Sequence, residues 1–157
     1  MSREAQILEA LSAPEILSYT VDDFVISVVR WYNIHHKRTP HSGGPLGQSG
    51  CAIYAALLRP DTERESFDPS VVGHFHEITP AILEKMGGCS IKTARKGLSN
   101  LEEHGFVKTE KIGRNLFAAP LIHEDAFRDG ARRMFALGDD LPEHLAQLVR
   151  RLPFDCH

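Results

Sequence analysis

Lys92, Arg95 and Lys96 fall within five residues of one another, and Ser99 and Asn100 follow closely. On a helix the three basic residues and Ser99 lie away from Ala94, Leu98 and Leu101, which recur at the interval of a buried face. Positive charge beside short polar groups is what a helix in a DNA major groove needs. The charge neutralises phosphates, and Arg, Lys, Ser or Asn side chains hydrogen-bond base edges. A second polar group, Lys108, Lys111, Arg114 and Asn115, lies just downstream. Residues 85–115 hold seven basic and three acidic residues, a balance of +4, whereas the rest of the chain holds 11 basic and 18 acidic, a balance of -7. Segregation of sign on this scale gives an acidic protein a local electropositive footprint. The plainer reading of the same residues is a solvated helix face, and a protein-docking face is a third.

The elements that must position these residues have local signatures. In GGCSIKTARKGLSNLEEHGFV (87–107), Ser90 is a suitable N-cap, its hydroxyl able to accept from a free backbone N–H of the first helical turn. Gly105 can take the positive φ that ends such a helix, and Phe106 and Val107 then re-enter the core as a strand. FVKTEKI and LFAAPLI flank Gly113-Arg114-Asn115, which reads as a β-hairpin with Arg114 at or near its tip. Upstream, FHEI (75–78) reads as a short strand. Thr79-Pro80 is an N-cap followed by proline at the first helical position, opening AILEKM.

The rest of the chain reads as helix and loop. Residues 3–11 place Ile7, Leu8 and Leu11 on one face. Thr20 and Asp23 have capping-box spacing and open a long element through residue 36. Its β-branched residues favour a strand. Its length, with Asp22 and Asp23 at the start and Lys37 and Arg38 at the far end, favours a helix. That helix is apolar on several sides and needs cover from the core or from a second subunit. Residues 37–50, with four glycines and two prolines, are expected to form a surface loop. A short helix over 51–59 stops at Pro60, and 61–70 is a polar connection. Near the end, Phe127, Ala131, Met134 and Phe135 form a stripe over 123–137, stopped by Gly138. Leu141, Leu145, Leu148 and Leu152 form another over 141–152, behind an Asp140–Glu143 capping box. The expectation is a single, mainly α domain with a small β-wing. It comprises N-terminal helices (1–36), a loop (37–50), a winged helix-turn-helix core (51–122) and C-terminal helices (123–157). The apolar stripes exceed what so small a core needs, which points to a homodimer.

The stretch TPAILEKMGGCSIKTARKGLSNLEEHGFVKTEKIGRNLF resembles the core of winged helix-turn-helix proteins, as in MarR-type and GntR-type bacterial regulators and some plasmid and phage replication initiators. Leu83, Gly88, Ser90, Thr93, Leu98, Leu101, Glu102, Glu103, Gly105, Phe106 and Val107 carry the pattern. The likeness covers about 40 residues, from 75 to 120. Gly87 stands where such proteins carry a large apolar residue, Ala94 is smaller than the usual Val, and the loop at 61–74 is longer. The resemblance implies a recognition helix over 90–104 and a wing over 106–119. It implies DNA contacts by Ser90, Lys92, Thr93, Arg95, Lys96, Ser99, Asn100, Lys108, Lys111, Arg114 and Asn115. Sequence-specific binding of double-stranded DNA by a cytoplasmic transcriptional regulator, prokaryotic or phage, is the function expected. A replication or partition factor of a mobile element, or a winged-helix module that docks a protein as inhibitor or assembly subunit, is the alternative.

Other chemistry finds little support. No run of about 18 apolar residues predicts a membrane span, and the N-terminus shows no apolar signal core. Cys51, Cys89 and Cys156 are too scattered for a disulfide framework, which suits a reducing compartment. Cys89 sits before a helix N-terminus, where thiolates are favoured, but its place in the turn suits a buried structural role. His74 and His76 would point to one side of a strand and suggest Zn²⁺, yet no Cys-x-x-Cys or His-Glu-x-x-His spacing accompanies them. No nucleophile–base pair, P-loop or dinucleotide fingerprint is present. An enzyme, a metal and a cofactor are therefore not expected.

Overall fold

A computed structural model describes residues 2–13, 15–16, 18–36, 44–59 and 67–154. Among these the chain is mainly helical, with one small antiparallel sheet. The elements are α1 (Arg3–Leu11), α2 (Ser18–His35), α3 (Gly47–Leu57), β1 (His76–Glu77), α4 (Pro80–Gly87), α5 (Ile91–Glu103), β2 (Val107–Ile112), β3 (Asn115–Pro120), α6 (Glu124–Ala136) and α7 (Glu143–Arg151). They gather into two compact units. One is Met1–Tyr32 with Ile122–His157, and the other is Asn33–Leu121.

The Asn33–Leu121 unit runs α3, β1, α4, α5, β2, β3, with strand order β1-β3-β2. Three helices followed by a hairpin, with a short strand added to its edge, make the winged helix-turn-helix arrangement. The expected loop 37–50 proves shorter, because α3 begins at Gly47. The Asn33 side-chain oxygen accepts from the backbone N–H groups of Leu46 (2.8 Å) and Gly47 (3.2 Å). A residue 14 positions back thus supplies the cap that the local sequence lacks. Residues 37–43 of that loop, 61–66 of the next connection and Pro60 lie outside the described residues. The strand expected over 75–78 shortens to His76–Glu77, so His74 precedes it.

The unit's core is built around α5. Ala94 and Leu101 are fully buried, and Leu98 nearly so. Gly97 completes the buried face: a Cβ there would stand 2.9 Å from the Gly50 backbone nitrogen, so α3 and α5 approach where only glycine fits. The α4–α5 turn is tight for a related reason. Gly88 adopts φ 61° as the left-handed cap, and a Cβ on Gly87 would lie 3.2 Å from the Ala94 Cβ. The two small residues that depart from the winged-helix pattern therefore face each other. Tyr54 of α3 is buried, its ring edge-on to Phe106 at 5.3 Å and its hydroxyl donating to the Leu121 carbonyl at 2.7 Å. This joins helix to sheet while satisfying the one polar atom.

The other unit holds α1, most of α2, α6 and α7. Phe24 meets Phe127 edge-on at 5.6 Å, and Gly130 lets α6 close on Val28. Arg151 lies 2.6 Å from Glu15 and, chiefly by hydrogen bonding, holds that carboxyl below its usual range. The structure departs from three expectations. Phe135 is 39% exposed instead of completing the α6 stripe. Asp140 does not cap α7. It is consumed in a one-turn 3-10 helix, Gly138–Asp140, whose Gly138 carbonyl accepts from Leu141 at 3.1 Å. Thr20 is not an N-cap either, because α2 starts at Ser18 and carries Thr20 into the interior, fully buried. Its hydroxyl finds no partner among the described residues. An unpaired buried hydroxyl costs free energy that an apolar group of the same shape does not. Thr20→Val is therefore expected to raise stability by about 1 kcal/mol, read from the midpoint of a urea titration. A lowered midpoint would show that the hydroxyl is bonded.

Candidate nucleic-acid interface

The interface is built on α5 and the β2–β3 hairpin. Ser90 caps α5 as expected: its oxygen accepts from the Thr93 N–H at 3.4 Å, and its hydroxyl donates to the Thr93 Oγ1 at 3.1 Å. Ser90 therefore organises the first turn, and the two hydroxyls are occupied with each other. Opposite the buried Ala94-Gly97-Leu98-Leu101 face, Lys92, Arg95, Lys96 and Ser99 are all exposed. Gly105, at φ 83°, ends the helix and turns the chain. The Phe106 N–H donates to the Leu101 carbonyl at 2.9 Å, which fixes the root of the wing on the helix end.

The wing is a two-residue hairpin. Ile112 pairs with Asn115, leaving Gly113 and Arg114 as the loop. Gly113 has φ 64° and Arg114 is not left-handed, the pattern of a type II′ turn with glycine first. Arg114 is thus part of the tip itself, and Asn115 is the first residue of β3. β1 extends the sheet on the far side, pairing His76 with Ala118 and Glu77 with Phe117.

Between α5 and the wing lies a cleft of about 730 Å³. Arg95 and Ser99 enter it from the helix, and Lys111, Arg114 and Asn115 from the hairpin. Five of the eleven expected residues are therefore brought together. Its floor is apolar, formed by residues such as Leu83, Leu98 and Leu116. Thr93, Lys96 and Asn100 stand on the other flank of α5, in a shallower depression of about 550 Å³ beside the start of α3. Lys92 borders neither cleft. Lys108 is exposed but alternates with Thr109 and Lys111 along β2, so it faces away from the cleft. Glu102 and Thr109 also line the cleft and were not expected there. Their sequence signal was slight: Glu102 opens an acidic pair, and Thr109 shares the strand face of Lys111.

The electrostatic contrast between the two units is sharp. In the Met1–Tyr32/Ile122–His157 unit, Arg3, Arg128, Arg133, Arg150 and Arg151 each pair with a carboxylate, at 2.6 to 3.5 Å. Among the described residues, Lys92, Arg95, Lys96, Lys108, Lys111 and Arg114 make no ion pair with the protein. No family model, curated protein or solved structure matches the chain. His74 is exposed and His76 half-buried, with its Nε2 buried and unbonded. Among the described residues no group of three or more His, Cys, Asp or Glu is placed to hold a metal ion. No described helix is long and apolar enough to cross a membrane.

Proposed function

We propose that the protein binds double-stranded DNA sequence-specifically, with α5 in the major groove and the wing against the neighbouring backbone, and that it acts as a cytoplasmic transcriptional regulator. The observation that carries this reading is the set of exposed cations on α5 and the wing that make no ion pair among the described residues, whereas Arg3, Arg128, Arg133, Arg150 and Arg151 each face a carboxylate. Arg95 and Arg114 border one cleft from two different elements, as two contacts on a single duplex require. The protein acts as a homodimer in this reading. Phe135 and Leu137, 39% and 50% exposed at the end of α6, are apolar surface that a second copy can cover.

A mobility shift on random-sequence duplex tests the proposal. Binding is expected at low salt, with log K falling linearly in log salt by about 0.9 per phosphate contact. Selection from a random DNA library is then expected to return a preferred site. Absence of any shift at low salt would favour a winged helix that docks a protein instead.

A further inference from the structure

The hairpin is held to α5 at a second point beyond its root. Glu102 lies in the last turn of the helix, and one carboxylate oxygen accepts from the Thr109 backbone N–H at 2.8 Å and from the Thr109 hydroxyl. β2 is an edge strand, with β3 as its one neighbour in the sheet. Its outward N–H groups have no ladder partner, and Glu102 supplies one to Thr109. Charge-assisted bonds of this kind are stronger and better directed than neutral ones. From Thr109 to the tip at Gly113 the strand runs on for about 13 Å, so a small change of angle at the clamp is magnified at Arg114. β1 steadies the β3 side of the hairpin, and Glu102 steadies the β2 side.

The geometry points to Glu102 as the positioning residue of the wing: it sets the angle between hairpin and recognition helix, and with it the separation at which Arg95 and Arg114 meet one duplex. Its effect on binding rests on the DNA reading above; its effect on the wing does not. A carboxylate lining a cleft meant for phosphate is otherwise unfavourable, since it repels the ligand. The two Thr109 donors offset that charge and give it a structural task.

The comparison that isolates positioning from charge is Glu102→Gln against Glu102→Ala, both neutral. The glutamine oxygen can still accept from Thr109, and alanine cannot. Gln is expected to bind duplex at least as tightly as the parent. Ala is expected to bind about 3- to 10-fold more weakly than Gln, the scale on which members of one hydrogen-bonded network couple. In an Arg114→Ala background the difference between Gln and Ala should disappear, because Glu102 acts through the wing tip. Without DNA, amide exchange over residues 108–112 should be faster in Ala than in Gln. Equal binding by Ala and Gln, a difference that persists without Arg114, or unchanged exchange would each overturn the assignment. If Glu102→Ala does not fold, Thr109→Val, which removes the hydroxyl alone, should still speed exchange and weaken binding in part. Unchanged exchange and binding in that variant would likewise overturn it. If the parent itself binds no duplex, the DNA reading fails, and the exchange measurement still decides whether Glu102 holds the wing.

Discussion

Leu101→Ala is expected to cost the protein about 2–5 kcal/mol of stability through the cavity it leaves. Leu101 is fully buried, and it anchors α5 at the level where the chain turns into the wing. Its carbonyl also accepts the bond that fixes the root of the hairpin, so the side chain and the backbone of one residue join helix to sheet. Collapse around the missing atoms is restricted, because α5 already approaches α3 as closely as Gly50 and Gly97 allow. Natural domains are stable by only about 5–15 kcal/mol, so the loss is a large share of the whole. Chemical denaturation of parent and variant measures it. A loss under about 0.5 kcal/mol would mean that this face of α5 is not the buried one.

The second large effect is on binding. Arg95→Ala is expected to weaken specific binding by about 1–3 kcal/mol, roughly 5- to 150-fold, if the guanidinium reads a base edge. Arg95 is exposed, faces away from the core and projects into the cleft shared with the wing, so its removal leaves the fold unchanged. Two outcomes distinguish the kind of contact. A base contact is lost on the preferred site and little on random duplex. A phosphate contact is lost on all sequences alike, and the salt slope falls by about one unit. Titration against both duplexes at several salt concentrations separates them. Affinity unchanged in Arg95→Ala, and in the Lys92 and Lys96 counterparts, would remove α5 as the reader.

What the sequence determined by itself was settled within a few residues of chain. The caps Thr79 and Ser90 bond to N–H groups three residues on, and Gly88, Gly105 and Gly113 take the positive φ that each turn requires. The Ala94-Leu98-Leu101 stripe fixed which side of α5 is outward, since helical geometry is independent of what covers it. Such features follow from local hydrogen bonding and sterics, so they survive whatever the rest of the chain does.

The tertiary structure decided what depends on partners distant in sequence. Asn33 moved the start of α3 into a run of glycines, and burial carried Thr20 past the capping role its spacing suggested. Gly97 reads as a weak helix residue until Gly50 lies against it. The eleven polar residues of the expected DNA surface look equivalent in sequence. Folding sorted them into a cleft with Arg95 and Arg114, a second flank with Lys96 and Asn100, and the opposite face of the wing with Lys108. It also brought in Glu102, whose acidic side chain reads as a solvated charge until Thr109 offers it two donors. Helical and strand periodicity says which way a side chain points, whereas its neighbours are fixed by how separate elements pack, and that lies beyond any local window of sequence.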